Sequence, residues 1–514
     1  MSNFRAHYVV TSMVRRAYPV GLFVAGVLCL SSLGLSQDST SDKADLVSVK
    51  RPFPSATQQA DARRTIRDLF KKEFDQAKNA KGKLALAETL LSRAAELEED
   101  HNGLYAILSE AAENAAAAGE LSLATKAIDQ VQEHFGTPPL ELQEKVAKII
   151  IPIAKTQPQI LQVLELELAL IREAVAADDM DIAQRVLTTA QALSRKLGSS
   201  GVKDQLLALS KEISAMASAY ESAADAKTKL DSMPDDQNAN LLWGKYLCFA
   251  KGDWANGLPL LIKSQDPVLA PLAQRDLDQP TDAAANVALG DDWRNLSEKE
   301  KEPIRGIISA RAIEPYTRAL SVQSGIQGTS TETKLAQLFG ASQLFTSVAS
   351  EAKFPVIADA SLNFEAVGTV ECWVQTQANQ GPLFSKRTLE PDGTLGVRLY
   401  NGKACLFENA SWHYREVQTT VLINDGRWHH LAITKSGKDA TLFIDGVLIA
   451  SLAIQSKLTS KSPWRAGTSY DVDPPASLRL CKFRFSNIVR YLVTFKPEYN
   501  LKKDKATLFL SGAK

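Results

Sequence analysis

Residues Asp425–Ser451 read DGRWHHLAITKSGKDATLFIDGVLIAS. The runs HHLAIT, TLFI and VLIA alternate or bunch apolar residues at short length, as strands do. Asp445–Gly446 separates two of these runs. An Asp-Gly pair between strands is a two-residue hairpin turn, whose residues take positive φ. Ahead of the hairpin, His429 and His430 stand side by side after Trp428. In a strand, His429 shares a face with Leu431 and Ile433, while Trp428, His430 and Ala432 share the other. The two imidazoles therefore point apart and cannot hold one ion from a regular strand. Zinc also needs further ligands at workable spacing. The other histidines are His7, His101, His134 and His413, and of these His413 alone is near in sequence. The pair reads as scaffold, neither metal site nor catalytic pair.

The texture around this stretch is β from about Phe354 onward. TVECWVQT (369–376), LGVRLY (395–400), KACLF (403–407) and LRLCKFRF (478–485) are further strand-like runs. Asn401–Gly402 is a second tight-turn signal. Many short strands in one segment argue a sandwich or jelly roll. The ordered motifs are similar to the laminin G-like, concanavalin A-like jelly roll over about Ala360–Leu510. They are Glu371-Cys372-Trp373-Val374, Ser385-Lys386, the Asn401–Gly402 hairpin, Trp428–Thr434, Leu442–Gly446 and a tail over Val489–Pro497. The resemblance implies a sandwich and is compatible with a binding role. It fixes no ligand residues here.

From about Ala60 to Gln337 the chain is rich in Ala, Leu, Glu, Lys and Gln, with apolar residues at helical spacing. LALAETLLSRAAELEE and LELELALIREAVAA are two such helices. A weak repeat runs through AAGELSLATKAIDQV at Ala117, AADDMDIAQRVLTTA at Ala176 and AKGDWANGLPLLIKS at Ala250. Each copy reads as a helix end, a tight turn and the next helix start. The pattern resembles tetratricopeptide-like hairpins, which stack because one hairpin cannot bury its own apolar face. Asn240–Leu338 further resembles a helical module of large exported proteins of planctomycete-type bacteria, which implies a location and no chemistry. Trp243, Trp254 and Trp293 sit among apolar residues at helical spacing and read as locks between hairpins.

The expected fold is thus multidomain: an all-α helical repeat followed by an all-β jelly-roll sandwich. The expected segments are 1–36 signal peptide or N-terminal anchor, 37–59 linker, 60–230 helical repeat, 231–345 second helical module and 352–514 jelly roll. The signal reading rests on Arg15 and Arg16, then the apolar run Tyr18–Leu35, then small residues Gly34 and Ser36. Cleavage is expected near Ser36–Gln37. An uncleaved segment would instead anchor the chain in a membrane.

The 514 residues carry 59 Lys+Arg and 59 Asp+Glu, so no global field argues for nucleic acid. From Ala352 to Lys514 there are 21 Lys+Arg against 14 Asp+Glu, a modest excess that suits anionic partners or simple solubility. Beyond the signal segment Cys248, Cys372, Cys405 and Cys481 lack metal spacing or a disulfide framework and read as small buried residues.

No E-x-D-x-x-E run, nucleophile elbow, Walker loop or HExxH motif is present. Glu371 alone cannot serve as both nucleophile and acid/base of a glycosidase. The expectation is a non-enzymatic exported binding protein whose jelly roll recognises carbohydrate or a cell-surface protein. Two alternatives stay open: a protein-interaction scaffold without sugar binding, and a polysaccharide-degrading enzyme or its accessory subunit. Candidate ligand residues lie in two loops. ENASWHYRE offers Trp412 and Tyr414, which would share one strand face and suit either sugar stacking or hairpin packing. KSPWRAGTSYDVDPP offers Trp464 and Tyr470, with Asp471 and Asp473 as candidate calcium ligands.

Overall fold

A computed structural model describes residues 51–136, 139–347, 356–359, 361–364, 366–386, 393–410, 413–455, 458, 461–467 and 476–511. The expected signal segment lies outside them. Among the described residues no helix is long and apolar enough to cross a membrane. The chain divides into two compact units, one through Val186 and one from Leu187.

The first unit is helical. Its helices include Ala56–Leu69, Ala80–Arg93, His101–Ala118, Leu121–Phe135, Leu140–Ile150 and Gln157–Ala176. Local chemistry sets their starts. Ser55 and Gln58 form a reciprocal capping box, as do Thr156 and Gln159. The helix His101–Ala118 is central, with Leu104, Ile107, Leu108, Ala111 and Ala115 all buried. Phe53, Tyr105 and Phe135 close one end, with ring centroids 5.4–5.7 Å apart.

The repeat has one local geometry in all three copies. A left-handed residue ends the helix or turn, at Gly119, Asp178 and Gly252. An acidic residue follows at the next helix start, and Asp179 and Asp253 accept from backbone N–H groups there.

The second unit opens with the long helix Ser200–Ser232 and continues through Gln237–Lys245, Trp254–Lys263, Leu269–Asp278, Ala283–Ser297, Ile304–Arg311, Ile313–Leu320 and Gly325–Leu338. Trp243 stacks on Tyr246 at 4.8 Å, and Trp254 meets the fully buried Trp293 edge-on at 5.1 Å. All three tryptophans thus pack between helices.

Among the described residues thirteen strands follow: β1 (Phe345–Ser347), β2 (Val356–Ala358), β3 (Val367–Thr376), β4 (Gln380–Ser385), β5 (Thr394–Tyr400), β6 (Lys403–Ala410), β7 (His413–Leu422), β8 (Trp428–Ser436), β9 (Asp439–Ile444), β10 (Val447–Ala453), β11 (Trp464–Ala466), β12 (Leu478–Ser486) and β13 (Thr507–Leu510). They form two antiparallel sheets. One has the order β1-β12-β3-β8-β9-β10, with β13 also on β12, and the other β2-β11-β4-β5-β6-β7. Both expected hairpin turns are present, with positive φ at Asn401–Gly402 and Asp445–Gly446. Leu431 and Ile433 enter the sandwich core with Val370, Cys372, Val374, Val397 and Leu406.

The seven-stranded sheet is buried on its outer face as well. Trp373, Cys481 and Trp428 pack there against helical residues including Phe339, Tyr316 and Ile313. The Phe339 ring lies 4.8 Å from Trp428 and 5.7 Å from Trp373, and Tyr499 stacks on Trp373 at 4.5 Å. Both indoles are satisfied: Trp428 Nε1 donates to Thr317 Oγ1 at 3.1 Å, and Trp373 Nε1 to the Glu498 carbonyl at 3.2 Å. The C-terminal tail covers the rest of the face through Tyr491 and Phe495 against Ala432 and Phe443. Gly446 lets the tail close in. Its carbonyl accepts from Phe495 N at 2.9 Å, and a Cβ there would run into the Phe495 carbonyl. The described cysteines are all buried and free.

Trp428→Ala removes the ring that joins helices to sheet. It is expected to lower the stability of the second unit by about 3 kcal/mol, read as a shifted urea midpoint. An unchanged midpoint would mean the docked ring adds nothing.

Candidate functional site

The RWHH strand pairs with β3 on one side and β9 on the other, so its backbone is central in the sheet. His429 is held between two carboxylates. Its Nδ1 meets Asp445 Oδ2 at 2.7 Å and its Nε2 meets Asp425 Oδ1 at 3.0 Å. Asp445 Oδ1 also accepts from His430 N at 2.8 Å. The histidine therefore ties the turn before β8 to the β9–β10 hairpin. Burial opposes its charge, but the hydrogen bonds to Asp425 and Asp445 outweigh burial and raise its pKa to about 9.

His430 points to the other face, as alternation requires. It is fully buried, and its Nε2 donates to Glu371 Oε2 at 3.1 Å. Glu371 is itself fully buried, with Arg484 Nε at 2.8 Å and Tyr491 Oη at 2.7 Å. Burial would raise the Glu371 carboxyl, yet the Arg484 charge and His430 bring it down to about 2. Burial pushes the Tyr491 phenol well up. This carboxylate is neutralised and closed to solvent, which is a packing role.

The outer face of the six-stranded sheet differs. On β5, Leu395, Val397 and Leu399 enter the core, so Thr394, Gly396, Arg398 and Tyr400 face outward. On β7, Tyr414, Glu416 and Gln418 take the same face. Tyr414 is 40% exposed and Tyr400 43%. The Tyr414 ring lies on Phe407, with centroids 5.8 Å apart and planes 25° apart. Its hydroxyl donates to Glu416 Oε2 at 2.6 Å and accepts from Arg398 Nη1 at 3.3 Å. Glu416 Oε1 accepts from Gln418 Nε2 at 2.8 Å. Burial, then the Glu416 bond, push the phenol up, so it stays a neutral donor. The result is an aromatic ring held at its hydroxyl, stacked on Phe407 and partly open to solvent.

The sequence-selected residues separate. Tyr414 lies on this platform. Trp464 requires a correction: it is 1% exposed, in contact with Phe364, Phe384, Phe483 and Phe485, and its indole donates to the Leu362 carbonyl at 2.9 Å. Trp464–Ala466 is a short strand where the sequence suggested a loop, and alternation sends Trp464 and Ala466 into the core and Arg465 to the outer face. Trp412, Tyr470, Asp471 and Asp473 lie outside the described residues. Among the described residues no group of three or more His, Cys, Asp or Glu is arranged to hold a metal ion. Arg398 and Tyr400 were not selected from the sequence, although LGVRLY carries the signal: three aliphatics alternate with a glycine, an arginine and a tyrosine.

Residues 350–491 match the model of a laminin G family described as the concanavalin A-like lectin/glucanases superfamily. No curated protein sequence matches the chain. Among solved structures, domains LG4-5 of the mouse laminin alpha1 chain are 14% identical, cover 28% of this chain and 42% of their own, and give a TM-score of 0.25. The LG1-3 region of the laminin alpha2 chain is 13% identical over 31% of this chain and 33% of its own, at a TM-score of 0.23. Domain 4 of AbnA, a GH43 extracellular arabinanase of Geobacillus stearothermophilus solved with arabinotriose, is 14% identical over 27% of this chain and 82% of its own, at 0.21. The chain spans less than half of either laminin fragment. The C-terminal part is thus a laminin G-like, concanavalin A-like jelly roll behind a helical half.

The His429 clip has a testable sign. Its folded pKa, about 9, lies above the ordinary histidine value of roughly 6.5. Its stabilisation is therefore full below roughly pH 6.5 and lost as pH rises through about 9. His429→Gln is expected to flatten the stability profile across that alkaline window. A profile as steep as the parent's would show that the clip does not titrate.

Proposed function

We propose that the chain is an exported, non-enzymatic binding protein. Its jelly roll takes carbohydrate on the outer face of the six-stranded sheet, and the helical half serves as scaffold. One observation carries the choice of face. The seven-stranded sheet has its outer side closed by helices and tail, with Glu371, His430, Ala432 and Phe443 fully buried. The other sheet presents Tyr400 and the pinned Tyr414 to solvent. An exposed aromatic ring with polar groups at its edge is what a sugar ring stacks on. The family match, to a superfamily of lectins and glucanases, supports a binding role.

A binding function without catalysis is favoured by the carboxylates. Glycoside hydrolysis takes two of them flanking one bond. Among the described strand residues of this sheet, Glu416 is the one carboxylate on the outer face, and Glu408 lies 1% exposed on the opposite side. The N-terminal pattern and the laminin G resemblance support export. Trp412, two residues from Tyr414, belongs to the same proposed site. Asp471 and Asp473 remain candidate ligands for calcium, which a chelator added to the binding assay would reveal.

The test is a glycan array probed with the full-length protein and with Tyr414→Ala and Trp412→Ala. Loss of one stacked ring should weaken the signal by up to about tenfold, as an aromatic contact of about 1 kcal/mol implies. If neither substitution changes a measured glycan signal, the site is misplaced. If no glycan binds, the carbohydrate reading falls and the scaffold reading gains.

A further inference from the structure

The outer side of the six-stranded sheet is closed in its middle and open along two borders. Ser385, Gly396, Cys405 and Phe407 are buried there. One border is β7, whose outward residues Tyr414, Glu416, Gln418, Thr420 and Leu422 are exposed or half-buried along the strand. The other is a row of paired positions at one end of the sheet, Gln380, Tyr400, Lys403 and Leu422, all exposed. The two borders meet at Leu422. They make one continuous strip that carries Tyr414 on one arm and Tyr400 on the other.

The Tyr400 arm stands on a fixed backbone. Tyr400 and Lys403 flank the Asn401–Gly402 turn and pair with each other. Gly402 N donates to the Asn379 carbonyl at 2.9 Å, and Ile423 N donates to the Gly402 carbonyl at 3.0 Å. Asn424 Nδ2 donates to Asn379 Oδ1 at 2.8 Å. The turn is thus tied to the chain just before β4 and just after β7. A ring on such a backbone loses little freedom when a ligand settles on it. Arg398 links the two arms. It lies two residues from Tyr400 on the same face, and its Nη1 donates to the Tyr414 hydroxyl at 3.3 Å.

Thr394 stands in line with Tyr414 across β6, six residues from Tyr400 along β5. With two interstrand steps added, the backbones of the two tyrosines lie roughly 22 Å apart. The side chains narrow that gap, because the Tyr414 hydroxyl reaches Arg398. A single sugar stacks on one ring, and contact with both takes a chain. Between the rings the strip presents Gln418, Thr420, Lys403 and Arg398, which are hydrogen-bonding groups suited to hydroxyls. We infer that the ligand is an oligosaccharide of several units, recognised along its length, with one sugar on Tyr414 and another on Tyr400 as a second aromatic subsite. This rests on the carbohydrate reading above and adds the second subsite and the form of the ligand.

The experiment titrates the full-length protein with two-unit and six-unit oligosaccharides of xylan, arabinan, galactan and β-1,3-glucan, and with any longer chain that a glycan array retains. In a series that binds, the six-unit chain should bind at least about tenfold tighter than the two-unit chain, since it engages both rings at once. The two-unit chain is held at Tyr414, where Arg398 and Glu416 stand at the ring's edge. Tyr400→Ala should therefore weaken the six-unit chain about fivefold and leave the two-unit chain unchanged, whereas Tyr414→Ala should weaken both. Tyr400→Phe keeps the ring and should bind as the parent does. Circular dichroism and the thermal midpoint check that each variant is folded. Equal affinity for two and six units, or a Tyr400→Ala protein that holds the six-unit chain as tightly as the parent, overturns the inference and leaves the carbohydrate reading standing. Array signal confined to single terminal sugars does the same. Absence of binding to every series and to the array overturns both.

Discussion

Docking of Trp428 and Trp373 against Phe339 and Tyr499 governs the second unit. A sheet with two apolar faces needs a cover on each. Here one cover is the second sheet, and the other is a helix end together with the chain's own tail. Aromatic side chains bury about 150–250 Å² each, so a four-ring cluster is a large share of the free energy that holds helices to sandwich. The hydrogen bonds from both indoles set its geometry, because each ring meets a specific oxygen, Thr317 Oγ1 or the Glu498 carbonyl. Arg479 adds a further tie, donating to the Leu320 carbonyl at 3.4 Å.

The same covering explains the buried charges. Once the tail lies over the sheet, Glu371 is cut off from water and must be paired. Arg484, Tyr491 and His430 supply the partners, and two of the three come from β12 or the tail itself. Such a group is weak as a source of stability, since burying ions costs about as much as their pairing returns. It is strong as a constraint, since removing one partner leaves an unpaired charge. It therefore selects one placement of the tail over others of similar apolar area. With this sheet closed, the exposed aromatics that stand on strands, Tyr400 and Tyr414, belong to the other sheet.

Much of the β fold was legible. Asn401–Gly402 and Asp445–Gly446 demand tight turns, and the runs beside them are short enough to be strands. The opposite directions of His429 and His430 followed from alternation alone. In the helical half, each repeat copy carried its turn and helix start in four or five residues. The candidate site was much less legible. Tyr414 was found because it stands in an aromatic cluster, but Trp464 looked equally good and is a core residue. An aromatic residue beside prolines in a short strand gives too few positions to establish a phase. Arg398 and Tyr400 were overlooked because a long apolar run, LGVRLY, draws attention to its buried half.

The sequence by itself determined the element types, the two hairpins and which residues share a strand face, because those depend on backbone periods of 3.6 and 2 and on φ at single residues. Tertiary structure alone decided which face of each sheet meets water. Alternation sorts side chains into two sets without saying what covers either set. That choice came from contacts more than a hundred residues apart, such as Trp428 with Thr317 and Trp373 with Glu498. It buried His430, set Trp428 against the helices and left Tyr414 outside.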